Sequence, residues 1–563
     1  MSRGRPEREQ TWARHGAGRL STGWRAGGGT YTCRSGGFTL QTLQTSCRLL
    51  ASSSVLKSSQ AVRHPHCIVE SVYASLATAV RSPAMRTRTG QETYAQRQRH
   101  DSPIPEEVYK PWKLPRQQSY VFVNIDVVDT DAGEIRPGRI VRIENGLIKS
   151  ITPAPSSSSP NTNTNSDDAI YINSAGRYLT PGLIDAHVHL ASVPGTPDLQ
   201  SAMATPAAVS ALRQPYQCRA MLERGFTSAR DCGGAGLALK EAIGEGVFPG
   251  PRLFISGHAI SQTGGHGDRR GAHEGGGSGG GDMGCCGGGG GGGGELDGGL
   301  SMVVDGVPGV LAAARTQLRR GADFLKFMAG GGVASPTDPL SSIQFTADEM
   351  RAITAAASDA GTFATAHAYT PAAIRRAVAA GARGIEHGNL LDAATARLLA
   401  DGGVFLTPTL VAHAAMADPR YAGFLPGASA AKNAGLLGRG LEAVGLAHEA
   451  GVRMCLGSDL LSFLGAEQLG EFGLRAGVLP AAEVLRHATV NPARLLGQEA
   501  RLGQVREGFV ADLLVLNANP LEDVTVFERP ERHLLGVIKE GRVYASRWSK
   551  LPVDVEPGRV LLD

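Results

Sequence analysis

Two histidines stand two residues apart in Gly182-Leu183-Ile184-Asp185-Ala186-His187-Val188-His189. On a strand, residues i and i+2 share a face, so His187 and His189 would converge at its end. Neutral imidazole is the commonest metal ligand, and the pair suits a divalent ion. Two unrelated histidines are the alternative. Lys326 lies inside Asp323-Phe324-Leu325-Lys326-Phe327-Met328. A lysine in a buried strand is costly unless paired, and burial favours its neutral amine. A neutral amine can take up carbon dioxide as a carbamate, whose two oxygens can bridge two cations. The other reading is a lysine that reaches past the strand end into solvent. His367 ends Phe363-Ala364-Thr365-Ala366-His367, and His387 ends Gly384-Ile385-Glu386-His387. Asp459 closes Cys455-Leu456-Gly457-Ser458-Asp459. A carboxylate there can bind metal and accept a proton from water, or simply cap a helix.

The elements around these residues supply the sharper signal. Eight short apolar runs alternate with Ala-rich helical stretches such as Glu349–Ala360 and Pro371–Ala380. The runs lie at Leu183–Val188, Thr227–Asp231, Leu253–Ser256, Phe324–Met328, Phe363–Ala366, Gly384–Glu386, Val404–Thr407 and Arg453–Leu456. Eight strand–helix units of this kind fit an α/β fold, a (β/α)8 TIM barrel, whose active sites lie at the C-terminal strand ends. The six residues fall at the ends of strands one, four, five, six and eight. Outside the barrel, Tyr120–Ile125, Arg139–Ile143, Leu147–Ile151 and Ala511–Leu516 read as strands, as does the apolar pattern of Val537–Val543. Glu144-Asn145-Gly146 marks a hairpin. The N- and C-terminal strands are expected to form a small β-sandwich that brackets the barrel. The divisions are an extension over 1–118, sandwich over 119–180 and 503–563, and barrel over 181–502.

Taken together, these motifs resemble the amidohydrolase superfamily, in its imidazolonepropionase-like branch. That branch includes Xaa-Pro and Xaa-Arg/Lys dipeptidases and ochratoxinase-type amidases. The landmarks are Pro181 to His189, Gly225-Phe226-Thr227-Ser228-Ala229-Arg230-Asp231, Gly264-Gly265-His266-Gly267-Asp268, His367-Ala368-Tyr369, Ile385-Glu386-His387-Gly388 and Gly508-Phe509-Val510-Ala511-Asp512-Leu513. The resemblance implies two divalent metal ions, with zinc expected. His187, His189 and Asp459 would hold one, and His367 and His387 the other. Lys326, as its carbamate, would bridge them. Imidazolonepropionase itself lacks that lysine. Asp185 would be structural. By the same resemblance His266, Tyr369 and Arg375 would contact substrate, with His266 or Tyr369 stabilising an oxyanion. Arg375 would take a substrate carboxylate, although it or Arg376 could instead lie on a solvated helix face. The implied reaction is hydrolysis of the amide of a dipeptide or N-acyl amino acid. A cyclic amide, lactone or phosphoester is the near alternative. A non-catalytic scaffold would ordinarily have lost ligands, and here all six positions are filled.

Composition sets the remaining bounds. Residues 1–100 hold 15 Lys and Arg against 4 Glu, while the rest hold 41 basic and 48 acidic side chains. The positive charge therefore belongs to the N-terminal extension, and the body offers no basic field for nucleic acid. The extension is Arg- and Ser-rich and poor in acids, as a mitochondrial targeting segment is; an upstream stretch preceding a start at Met85 is the alternative. A cytoplasmic location is otherwise expected. No apolar run of membrane-spanning length is present. Eight cysteines form no C-x-x-C pair, which points to reduced thiols. Residues 271–299 contain 18 glycines and read as an expanded loop on the catalytic face, neutral or lid-like. Cys285 and Cys286 inside it lack the spacing of a closed metal site. Homo-oligomerisation is expected from the resemblance alone.

Overall fold

A computed structural model describes residues 104–154, 168–271, 273 and 299–555. The extension before residue 104, nearly all of the loop from Ser156 to Asp168, and nearly all of the glycine-rich insertion with Cys285 and Cys286 lie outside those residues. The last part of the expected extension is not structureless. Glu106–Tyr109 forms a helical turn, and the Pro115 carbonyl accepts from Arg542 at 2.7 Å.

Strands from both ends of the chain share one sheet. Ser119–Asp129, Glu134–Glu144, Leu147–Pro153, Ala169–Asn173 and Tyr178–Pro181 come from the N-terminal side. Leu513–Leu516, Leu534–Lys539 and Arg542–Ser546 come from the C-terminal side. Tyr178–Pro181 is the joint: it pairs parallel to Ser119–Asp129 and antiparallel to Leu513–Leu516. Where two stacked sheets were expected, the strands make one continuous ladder. Two hairpins turn on pairs of residues with positive φ, Asn145 and Gly146 at 51° and 79°, and Glu540 and Gly541 at 52° and 75°. Such turns match the right-handed twist of the strands they join. The second hairpin breaks the apolar run Val537–Val543 in two.

Leu513–Leu516 is apolar throughout because both its faces are buried. Leu513 and Val515 pack with Phe122, Ile143 and Val543 in the core of the terminal sheet. Leu514 and Leu516 point the other way, into the large central core.

That central region alternates short parallel strands with helices. Leu183–Val188, Phe226–Asp231 and Arg252–Ile255 form a three-stranded sheet. Leu325–Met328, Ala364–Ala368, Gly384–His387 and Phe405–Thr407 are neighbours in a six-stranded one. The eighth expected strand is reduced to a single parallel bridge between Leu406 and Met454. The ladder is therefore two sheets rather than one closed ring. Backbone hydrogen bonds cross both gaps. Ala186 N–H donates to Leu456 O at 2.8 Å on one side, and Asp323 N–H to Ile255 O at 2.7 Å on the other. The eight segments thus join in cyclic order. A parallel pair absent from the sequence reading, Ala259–Ser261 with Ser301–Val303, ties together the two ends of the glycine-rich insertion.

Helix starts follow from their caps. Thr346 and Glu349 form a reciprocal capping box ahead of Ala347–Asp359. Thr370 caps Pro371–Ala379, with proline at the first helical position, where its missing N–H costs nothing. No helix among the described residues is long and apolar enough to cross a membrane.

Candidate active site

The strand ends bring His187, His189, His367, His387 and Asp459 into one buried cluster, with Tyr369 and His266 on its wall. The His187 ring lies 5.2 Å from His189 and 5.1 Å from His387, and His387 lies 4.5 Å from His367. Tyr369 is 5.1 Å from both His367 and His387, and His266 stacks on His367 at 4.2 Å. Lys326 is 2% exposed and lies within electrostatic reach of His187, His189, His367, His387 and Asp459. Among the described residues its amine has no ion pair and no hydrogen bond.

Hydrogen bonds fix the tautomers of the first two histidines. His187 Nδ1 faces a carboxylate oxygen of Glu386 at 2.9 Å, and His189 Nδ1 faces the Gly233 carbonyl at 2.9 Å. Both acceptors lack protons, so each Nδ1 carries the hydrogen and each Nε2 keeps a lone pair. Those two lone pairs lie 3.4 Å apart, and Asp459 Oδ1 sits 3.3 Å from one and 3.2 Å from the other. Three electron-rich atoms so arranged repel unless a cation lies among them. Their spacing is the edge of a tetrahedron with bonds of about 2.0–2.1 Å, the length of zinc–nitrogen bonds.

The protonation behaviour shows the same tension. Burial pushes His187 down to about 4 and holds His367 and His387 well below the usual imidazole range. Burial acts on His189 too, but the hydrogen bond and charge of Asp459 overcome it and raise the group. Burial would raise Asp459 as well; His187 and His189 outweigh it and hold the carboxyl well below its ordinary value. A proton on His189 is the electrostatic substitute for a metal at that point. Asp459 alone keeps about one-fifth of its side chain exposed, 21%, at the open side of the cluster.

His266 is set by a second network. Its Nδ1 lies 2.7 Å from Ser335 Oγ, and Ser335 gives its single proton to Asp338. Ser335 must therefore accept from His266 Nδ1–H, which leaves Nε2 as an acceptor. In this tautomer a neutral His266 has no proton at Nε2 to donate. Asp338 also accepts from Gly332 N–H at 3.0 Å and from the Gln344 amide at 2.9 Å. The His266 ring lies flush against Gly332, where a Cβ would come within 2.2 Å of it.

Arg375 is a correction. The structure does not bring it to the cluster: it is exposed on the outer face of its helix and donates to both carboxylate oxygens of Asp392, at 2.9 and 3.1 Å. The helix turns Ala373 and Ile374 inward and so carries Arg375 out. Arg376 is exposed as well.

Glu386 and Arg230 had no role in the sequence reading. Both are fully buried, and Arg230 Nη2 bonds both oxygens of Glu386 at 2.8 and 2.7 Å. Arg230 in mid-strand was the available signal, because a buried guanidinium requires a carboxylate. Strand alternation argued against Glu386 and His387 both facing inward. His387 has φ of 74°, which breaks the alternation. Two groupings satisfy simple ligand distances among the described residues, His187 with His387 and Asp459, and His187 with Cys232 and Glu386. In the second of these Arg230 already neutralises Glu386, and burial raises the Cys232 thiol. Asp185 is structural: it accepts from His187 N–H, Ser458 and Gln468, clamping the first strand to the loop that carries Asp459.

Parallel strands that converge imidazoles and a carboxylate at their C-terminal ends, beside a sheet made from both termini, define a hydrolase of a known design. Residues 178–544 match the model of the amidohydrolase family, and the chain belongs to that family, in the imidazolonepropionase-like branch. It is an amide-hydrolysing enzyme. Ochratoxinase of Aspergillus niger is 33% identical over 368 residues, 65% of this chain and 75% of that protein. The crystal structure of A. niger ochratoxinase matches with a TM-score of 0.64 at 28% identity, over 77% of this chain and 96% of that one. A prolidase complexed with N-methylphosphonate-L-proline matches at 0.69 and 40% identity, over 76% of this chain and 100% of that one. A Xaa-Pro dipeptidase with methionine bound in its active site matches at 0.65 and 28% identity, over 76% and 100%. These neighbours imply a (β/α)8 barrel for the cyclic strand series, and the superfamily generally uses metal ions.

Proposed function

We propose that this chain is a metal-dependent amidase or dipeptidase that hydrolyses the amide of a dipeptide or an N-acyl amino acid. The observation that carries the reading is the convergence of His187 Nε2, His189 Nε2 and Asp459 Oδ1 at 3.2–3.4 Å. These three would hold one divalent cation, and His367 and His387 a second. Lys326 would join them as its carbamate, formed when Nζ bonds the carbon of carbon dioxide and releases a proton. Zinc suits the mixed imidazole and carboxylate set. When bound, such cations supply Lewis acidity, which lowers the pKa of water and polarises a scissile carbonyl.

The chain's own groups handle the protons. Asp459 is held ionised and reaches the open side, so it can take the proton of the attacking water and deliver it to the leaving amine. Burial keeps the Tyr369 hydroxyl protonated, so it can donate to the carbonyl oxygen as negative charge develops there. Relatives holding a proline analogue and methionine support a substrate that yields a free amino acid.

The test is amine release from a panel of dipeptides and N-acyl amino acids by zinc-reconstituted protein, with amidated and esterified controls. Release that requires a free carboxylate, disappears on chelation and returns with zinc is expected. Two metal equivalents bound per chain with no amide cleaved would sink the proposal.

A further inference from the structure

His413 lies on the helix Leu410–Ala417, directly after the strand Phe405–Thr407, and is 2% exposed. Its Nδ1 is 2.7 Å from Asn433 Oδ1. The orientation of that amide is not free, because Asn433 Nδ2 donates to the His413 carbonyl at 3.1 Å. The oxygen must therefore face the ring, His413 Nδ1 must carry the proton, and Nε2 must hold a bare lone pair. Nε2 is buried and has no hydrogen-bond partner among the described residues. An orphaned buried acceptor is destabilising, and in a folded protein such an atom calls for an explanation.

Its place supplies one. The ring sits 5.8 Å from that of Tyr369, and its charge state is felt by His387 while Asp459 acts on it in turn. On the apolar side of Tyr369, Val333 and Leu436 pack with it, and Leu390, Met416 and Leu425 border them. A second orphan stands on the same side. Asn389 Oδ1 is buried without a partner, while its amide nitrogen reaches only the Leu436 carbonyl at 3.5 Å. Two unused buried acceptors beside this apolar cluster are complementary to an apolar group that carries a hydrogen-bond donor.

We propose that His413 Nε2 is a specificity contact that accepts a hydrogen bond from an N–H or O–H on an otherwise apolar side group of the substrate, such as a phenol or an indole. The proposal rests on the amidase reading above. Asn433 is the positioning residue, acting through the tautomer it imposes. A site built to bond a substrate hydroxyl discriminates strongly against the analogue that lacks it.

The experiment uses the zinc-loaded full chain and its His413→Phe variant, which keeps the ring and removes the acceptor. The probes are matched dipeptides, Gly-Tyr against Gly-Phe and Tyr-Gly against Phe-Gly, read by kcat/KM. Calorimetric Kd values for tyrosine and phenylalanine are measured alongside. Wild type should favour the phenolic member of one pair by tenfold or more, and His413→Phe should erase the preference while changing the phenyl member less than about threefold. If both members respond alike in turnover and in binding, the proposal is overturned, and that includes the case where neither binds. If neither these dipeptides nor the N-acyl amino acids of the wider panel are cleaved, the amidase reading fails, and the calorimetric pair still decides the role of His413.

Discussion

Lys326 is buried with no hydrogen bond or ion pair among the described residues, while the buried Arg230 has a partner in Glu386. A lysine kept in such a place for packing alone would be replaceable by methionine. If it carries a bridging carbamate, Lys326→Met should bind at most one metal equivalent, lose at least about a thousandfold in kcat/KM, and in the metal-free protein keep or gain thermal stability, since an unpartnered buried polar group is removed. Metal analysis beside a melting curve separates the outcomes; full activity with two metals would refute the bridge. Glu386→Gln tests the support beneath. Its amide would oppose the His187 Nδ1–H and leave Arg230 unneutralised. A loss of about 10- to 100-fold in metal affinity is expected from the disturbed ligand, with destabilisation of about 3–5 kcal/mol from the stranded guanidinium. Arg375→Ala, by contrast, removes an exposed pair and should leave kcat/KM within about twofold and stability within about 1 kcal/mol. His187, His189, Lys326, His367, His387 and Asp459 could be picked out in the sequence because each ends, follows or interrupts an apolar run. Glu386 could not, because the left-handed turn at His387 that brings it inward leaves no mark in residue type. The tautomers of His266 and His413 depend on Ser335, Asp338 and Asn433, which join the site only through tertiary contacts.

At the scale of elements, most strands were legible because a parallel strand covered on both faces must be written as an unbroken apolar run. The limits of this rule appear at two places. Arg453–Leu456 satisfies it yet forms only one bridge, since its backbone bonds are shared between Leu406, Ala186 and His487. Ala259–Ser261 and Ser301–Val303 are three residues each and are separated by the glycine-rich insertion, so neither carries a period long enough to read. Leu513–Leu516 shows what the apolar run does energetically. Leu514 crosses from the terminal sheet into the central core, and it contacts Gly225 so closely that a Cβ there would lie 3.0 Å from it. Leu514→Ala should open a cavity where the two cores meet and cost about 2–5 kcal/mol. Exposed Leu212→Ala is the control and should shift stability by no more than about 0.5 kcal/mol. Similar losses from both would mean that the terminal strands do not stabilise the catalytic region.

At the scale of the whole chain, charge and chemistry are segregated. Every residue assigned to the cluster lies between Asp185 and Asp459, and the terminal sheet starts at Ser119. The basic excess lies before residue 104, and the remainder holds 41 basic against 47 acidic side chains. Two consequences follow for a chain shortened to residues 104–563. Its turnover should stay within about twofold of the full chain, because no group that binds, orients or moves a proton has been removed. Its surface behaviour should invert, because net charge passes from +4 to a negative value at pH 7. The full chain should bind a cation exchanger or a polyanion in a salt-dependent way, and the shortened chain should not, since retention of this kind scales with the number of basic contacts. The two readouts are independent. If shortening abolishes polyanion retention and spares hydrolysis, the extension handles localisation or partners and the body handles catalysis. If hydrolysis falls with it, while the melting temperature holds, residues before 104 reach the active site, and the division of labour argued from charge is wrong.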